Sequence, residues 1–174
     1  MDIFSHGLWA VTGAKIANRK VKRPLRVVWA AWWGVFPDVF AFVPIFTFFL
    51  FSRIFGGAAV VFPSPQNIEP VPAGEHAIMN ATGTLYSVSH SLIIFVVIYG
   101  VVYLIRRKHT LELGGWLLHI LMDIPTHSYR FYPTPFLWPV SGFKFDGFSW
   151  ANPWFLVGDY LALTIAFLLL RRKK

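Results

Sequence analysis

Four apolar runs dominate the chain, at residues 27–50, 92–105, 111–124 and 155–170, with a shorter one at 3–14. Basic residues fall between these runs rather than within them, which is the pattern of transmembrane helices. The runs predict a short N-terminal helix followed by crossings at about 27–53, 83–105, 111–126 and 153–170. The expected fold class is all-α, a polytopic transmembrane helical bundle. It forms a single integral-membrane domain over 1–174, with about four to five membrane helices, some broken or half-penetrating. Crossing about 30 Å of hydrocarbon takes roughly 20 residues. The 27–53 segment is longer than that and contains Pro37 and Pro44, while 111–126 is shorter. Asp2 or Ser5 can cap the first helix, and Lys15 and Arg19 suit its C-terminal end. A stretch at about 56–80, Pro-rich over 56–74, reads as a loop. So does 128–152, whose Tyr129, Phe131, Tyr132, Trp138 and Trp150 suit an interfacial lid.

Charge sharpens this picture. Apolar residues make up 56% of the chain and charged residues only 14%, yet the net charge is +8. Such a chain is either a nucleic-acid binder or a membrane protein. Thirteen of its 16 basic residues fall in three clusters: Lys15 to Arg26, Arg106 to Lys108, and Arg171 to Lys174. With four crossings, all three clusters reach the same side, so the positive-inside rule is obeyed throughout. The partner expected is the lipid bilayer, no nucleic acid is expected, and the C-terminus is cytoplasmic. The first basic residues follow the first apolar run instead of preceding it, unlike a signal peptide, so that helix is read as retained. The chain has no Cys, which excludes disulfides, thiolate metal sites and a cysteine nucleophile.

Ionisable groups inside apolar spans are costly and point to function. His6, Asp38, His90, His119 and Asp123 are placed in this way. His119 and Asp123, four residues apart, share one helix face. His127 lies four further on, with Pro125 interrupting the ladder between them. At about 1.5 Å per residue, Asp38 lies about 18 Å from Arg26, His90 about 24 Å from Arg106, and His119 and Asp123 about 17 and 23 Å from Lys108. On the same rise His6 lies about 14–20 Å from Lys15 to Arg19, so five residues from four segments can meet at a common depth. Imidazole plus carboxylate suits zinc, and also manganese or iron. Plainer readings stay open: a hydrogen bond between helices for His6, a helix cap for Asp38, a structural pair for His119 and Asp123. Ser89-His90-Ser91 does not read as a serine nucleophile, because adjacent helical residues do not face each other. No H-E-x-x-H is present. Glu75-His76 reads as a solvated loop pair, His109 as headgroup-facing and Asp159 as interfacial.

The ordered motifs Phe4-Ser5-His6-Gly7, Phe36-Pro37-Asp38, Ser89-His90-Ser91-Leu92, Leu118-His119-Ile120-Leu121-Met122-Asp123 and Phe136-Leu137-Trp138-Pro139 cover most of the chain. Together they resemble the bacterial membrane-bound metal-dependent hydrolases, also labelled LexA-binding inner-membrane-associated hydrolases. The H-x-x-x-D element is similar to a metal-binding helix of the zinc-dependent phospholipase C and nuclease group. The resemblance implies the bacterial inner membrane, His119 and Asp123 as ligands, and phosphoester hydrolysis. Where that family often has P-D-x-D-H, Pro37-Asp38 is followed by Val39-Phe40-Ala41, and Leu85-Tyr86-Ser87 stands in place of an H-R-G. Three of the family's candidate ligands are therefore missing. That favours a single metal or a degenerate site, with His127 and Asp146 as possible substitutes.

The expected activity is a membrane-embedded metal-dependent hydrolase acting on a lipid or lipid-linked phosphoester. His6, Asp38, His90, His119 and Asp123 are the metal ligands, with zinc favoured. Asp123 or His127 takes the proton from water, and Arg130 and Lys144 hold an anionic headgroup. Two rivals use the same residues differently: a small transporter or proton relay, and a non-catalytic membrane scaffold.

Overall fold

A computed structural model describes residues 1–55, 77–130 and 132–171. The expected Pro-rich loop at 56–74, Glu75, His76, Phe131 and Arg172, Lys173 and Lys174 lie outside them. The described residues form six helices and no strand: α1 (Ile3–Ala17), α2 (Val27–Ile54), α3 (Ala77–Ser89), α4 (Leu92–Arg106), α5 (Gly114–Thr126) and α6 (Pro153–Arg171), with a 3-10 turn at Leu111–Leu113 before α5. The all-helical class is as expected, and the span count is lower. Only α2 and α6 are long and apolar enough to cross a membrane; α3 and α4 make a third span if the bent pair counts as one. At about 1.5 Å per residue, α1 and α5 reach only about 20 Å, short of the hydrocarbon thickness. The structure therefore supports two or three spans rather than four to five.

Asp2 caps α1, its Oδ1 accepting from the N–H groups of Phe4 and Ser5 at 3.0 Å. Ser5 does not cap; its hydroxyl donates to Asp159 Oδ2 at 2.5 Å. Helix α2 runs through Pro37 and Pro44 without interruption, so the break expected there occurs elsewhere. It falls at His90 and Ser91, where α3 and α4 bend by 61°. Ser91 starts α4 by accepting from Ile94 N–H at 3.2 Å. Other groups at the break are met by protein as well. Trp116 Nε1 donates to Ser89 O at 2.6 Å, Leu92 N–H donates to Phe136 O at 2.9 Å, and the Ser91 hydroxyl donates to Trp138 O. Non-helical backbone at membrane depth survives only when it is covered in this way. The last four residues of the expected 56–80 loop, 77–80, are helical and open α3.

Small residues hold the central helices together. Gly34 of α2 meets α1 so closely that a Cβ there would lie 2.6 Å from Ala10 Cβ, and one on Gly115 of α5 would lie 2.2 Å from Ala30 O of α2. Close backbone approach through Gly and Ala is how helices associate where lipid removes the hydrophobic drive between them. An aromatic-aliphatic core of Phe95, Leu113, Trp116 and Ile120 fills the space beside these crossings. The outer faces are apolar too: Val28, Phe46 and Phe51 of α2, Val96 and Ile105 of α4, and Trp154, Val157 and Leu161 of α6 are exposed. An apolar exterior around a polar interior is the inverse of a water-soluble domain and fits a membrane protein.

Helix α6 docks on α1 along its length. Trp9 Nε1 donates to Asp159 Oδ1 at 2.8 Å, and Tyr160 donates to Asp2 Oδ1 at 2.9 Å. Asp159 is thus a buried anchor between helices. At the other end Arg19 donates to Leu170 O at 3.0 Å and Lys15 lies 4.9 Å over the Phe167 ring. Arg23 and Arg26 share a cavity with Arg106 and Lys108. The described parts of all three basic clusters therefore meet at one end of the bundle, as the charge pattern anticipates.

The tight helix crossing makes a direct test. Gly115→Ala should destabilise the detergent-solubilised protein by about 1–3 kcal/mol through overpacking. Gly100→Ala in α4, where a Cβ meets nothing within 4 Å, should leave the unfolding midpoint unchanged or raise it. Equal midpoints for the two variants would show that the crossing is not tight.

Candidate metal centre

Four side chains from three parts of the fold converge at the middle of the bundle. Asp38 comes from α2, one residue after the buried Pro37. His90 comes from the break between α3 and α4. His119 and Asp123 come from one face of α5. One donor atom from each lies within 4.8 Å of the others, a group that could hold a metal ion. His90 Nε2 and His119 Nε2 are 3.0 Å apart. Asp123 Oδ2 lies 3.5 Å from His90 Nε2 and 3.1 Å from His119 Nε2. Asp38 Oδ1 lies 3.5 and 3.7 Å from the same two nitrogens. Four ligands about 2.1 Å from a tetrahedral ion stand about 3.4 Å apart. Five of the six edges here match that spacing, and the sixth separates the two carboxylates.

Hydrogen bonds on the far sides of the rings decide what the near sides offer. His119 Nδ1 lies 2.7 Å from Gly34 O and His90 Nδ1 lies 3.1 Å from Tyr86 O. A carbonyl only accepts, so each Nδ1 carries a hydrogen, and in its neutral form each ring turns a bare Nε2 lone pair inward. This backbone anchoring is the usual second layer of a histidine-ligated metal. Asp123 Oδ2 is buried and receives no hydrogen bond among the described residues. Two lone pairs and two carboxylates thus face one another with acceptors on every side. Unpaired, that arrangement costs several kcal/mol per buried ion; a shared cation reverses it.

The fifth expected ligand, His6, stands beside this group rather than in it. Its ring stacks on His119 with centroids 3.7 Å apart, and its Nε2 lies 2.9 Å from the other carboxylate oxygen, Asp123 Oδ1. Neither ring nitrogen of His6 has a hydrogen-bond partner among the described residues. His127, the expected base, also meets Oδ1, with Nε2 at 3.3 Å. Pro125 does not displace it, since His127 N–H still donates to Asp123 O at 3.1 Å. The His127 ring is oriented by Nδ1 donating to Tyr132 O at 2.9 Å. The Met1 amine also reaches this side, 2.6 Å from Asp123 Oδ1 and 3.2 Å from His127 Nε2.

The described part of 128–152 clamps the end of α5. Gly147 N–H donates to His127 O, Phe148 N–H to Pro125 O and Trp150 N–H to Thr126 O, all at 2.9–3.0 Å. These bonds satisfy carbonyls at the end of α5 and fix His127. Gly147 is required there, because a Cβ would lie 2.2 Å from Pro125 O. Arg130 and Lys144 are not brought to the centre. Arg130 is exposed, Lys144 is half-buried, and neither side chain hydrogen-bonds or pairs with the cluster. Asp146 accepts from Tyr129 N–H at 2.8 Å instead of joining the ligands.

Sequence reasoning missed several contributors. Tyr86 stacks on His90 with centroids 3.8 Å apart. Ser89 holds the same ring, its hydroxyl 2.9 Å from His90 Nδ1 and 3.1 Å from Pro37 O. Reading 83–105 as an unbroken helix hid this, because a Ser next to a His faces away on a helix but not at a helix end.

No family model matches the chain, and neither a curated protein nor a solved structure does. The resemblance to membrane-bound metal-dependent hydrolases rests on the motifs alone.

The purified protein should carry a divalent metal in stoichiometric amount by elemental analysis. His119→Gln and Asp123→Asn should remove it, whereas Arg130→Gln should not. Retention should fall as the pH is lowered, because protons compete for the imidazole nitrogens and the carboxylates. Metal-free preparations from every metal-supplemented culture would count against the centre.

Proposed function

We propose that this chain is a membrane-embedded metal-dependent hydrolase, with a lipid or lipid-linked phosphoester as substrate. The observation that carries the reading is the buried group of Asp38, His90, His119 and Asp123, with two imidazole Nε2 atoms turned toward two carboxylates. These four residues would hold a divalent ion, zinc being favoured by the two-imidazole, two-carboxylate set. When bound, such an ion polarises a phosphoryl oxygen and brings the acidity of water near neutrality.

The remaining steps fall to the protein. Asp123 divides its labour, with Oδ2 facing the ligand nitrogens and Oδ1 facing His127 and His6. His127, with Nδ1 committed to Tyr132 O, turns Nε2 toward Asp123 Oδ1 and the Met1 amine, and that nitrogen would take the proton from the attacking water. Asp38 is the open edge: its side chain is 16% exposed, against 0–1% for the other three. Substrate would therefore approach along the α2 side. The depth of the centre among apolar faces argues for a substrate already in the bilayer. The positive-inside rule puts the basic end on the cytoplasmic side, in the inner membrane of a bacterium if the motif resemblance holds.

One observation favours a second reading. Met1, His127, Asp123, His119, His90 and Asp38 form an unbroken line of contacts, as a proton relay requires. Proton flux in proteoliposomes without hydrolysis would select it.

Two experiments address the proposal. Hydrolysis of a chromogenic phosphodiester in detergent should be abolished by EDTA and restored by zinc. It should drop about 100-fold or more in His127→Gln with metal content intact, as for loss of a general base. Full activity in the His119→Gln, Asp123→Asn double variant would overturn it. Because the chain has no Cys, single cysteines report orientation cleanly. Lys108→Cys should react with a membrane-impermeant maleimide only in inverted vesicles, and Ser141→Cys only in intact cells with a permeabilised outer membrane.

A further inference from the structure

The basic end of the bundle holds a cavity of about 400 Å³, well apart from the metal centre. Arg23 and Arg26 line it from the connection between α1 and α2, and Arg106 and Lys108 line it from the end of α4. Two clusters some eighty residues apart in sequence thus turn toward one space. Against these four cations stands Glu112, the one acidic residue among the lining residues described. Its Oε1 is 3.9 Å from Arg26 Nε and accepts from Arg26 N–H at 3.3 Å. One carboxylate cannot neutralise four cations, so the cavity keeps a positive excess. A guanidinium fork matches a phosphoryl group in geometry as well as charge.

The rim tells what carries that phosphoryl group. Leu25 and Leu111 line the same cavity. Next to it the exposed apolar surface begins, with Val28 and Trp29 on α2 and Ile105 on α4. Arg26 lies 5.6 Å over the Trp29 ring, placing a cation on an aromatic at the polar-apolar boundary. A ligand fitting both parts has an anionic phosphate head and an acyl tail descending along α2 and α4. Basic pockets between helices on the cytoplasmic side take lipid headgroups for the same reason.

We propose that this cavity is a binding site for the phosphoryl headgroup of an anionic phospholipid. Nothing in the proposal depends on the hydrolase reading, since the site lies outside the metal centre and its test does not read catalysis. The full chain in a mild non-ionic detergent is titrated with short-chain phosphatidylglycerol, short-chain phosphatidylcholine or inorganic phosphate. Thermal midpoint and lipid retained in native mass spectrometry are read. Phosphatidylglycerol should raise the midpoint and be retained, and phosphatidylcholine should do neither. The Arg26→Gln, Arg106→Gln double variant should need about tenfold more phosphatidylglycerol for the same effect. The Lys20→Gln, Lys22→Gln variant, with the same loss of charge from residues outside the cavity, should behave as the parent. Equal loss in the two variants, or equal response to the two lipids, overturns the site. Protection by inorganic phosphate matching that by phosphatidylglycerol overturns the lipid assignment and leaves a free anion as the occupant. If the glutamine pair on the cavity fails to fold, Arg26→Lys with Arg106→Lys keeps the charge and should still weaken retention through loss of the fork.

Discussion

The carboxylate of Asp123 governs the architecture around it. It is buried to 1% in a bundle whose outside is apolar, where water cannot supply what an ionised group needs. Each oxygen must be met by protein or by a cation. Oδ1 is met by the Met1 amine just before α1, by His6 within α1 and by His127 just past α5. Oδ2 faces only the two ligand imidazoles and receives no hydrogen bond among the described residues. The asymmetry is chemical. One side of the carboxylate is hydrogen-bonded into the scaffold, and the other is turned toward the two imidazoles where a cation would sit.

Holding four donors at that point constrains the backbone more than the side chains. His90 can reach the centre only if the helix stops before it, and stopping a helix at membrane depth strands polar groups. The fold answers with Trp116, Phe136 and Trp138, each meeting one of the groups at the break. His119 can turn its Nε2 inward only if α2 passes close enough to offer Gly34 O, which in turn requires Gly34 and Gly115 at the crossings. The small residues therefore serve the centre twice, by letting the helices approach and by exposing the carbonyl that sets the tautomer.

The part of this legible in the sequence was the part governed by cost. Charged residues in apolar runs are rare for a strong reason, so Asp38, His90, His119 and Asp123 stand out, and i, i+4 spacing correctly joins the last two. A common depth estimated from the basic clusters also holds, because those clusters do share one end. What was not legible depends on where the chain bends and what approaches from afar. Pro37 and Pro44 invite a break that does not occur, since a continuous helix is retained there by packing. The actual break, at His90, follows a helix end that carries neither Gly nor Pro.

Trp116 links these two levels. Its ring belongs to the apolar core with Phe95, Leu113 and Ile120, and stacks with Trp33 of α2 at 6.1 Å. Its Nε1 caps Ser89 O one residue before His90. Sliding α5 relative to α2 would therefore disturb the aromatic packing, the helix end and two ligands together. In water-soluble proteins a hydrophobic core positions a site by excluding solvent. Here the exterior is already apolar, so the core contributes shape rather than solvent exclusion, and the polar centre supplies the directional bonds. Position is set by the jigsaw of Trp, Gly and Ala, and orientation by carbonyls at Gly34, Tyr86 and Tyr132. An apolar bundle can present a charged pocket of defined geometry only when both are satisfied at once.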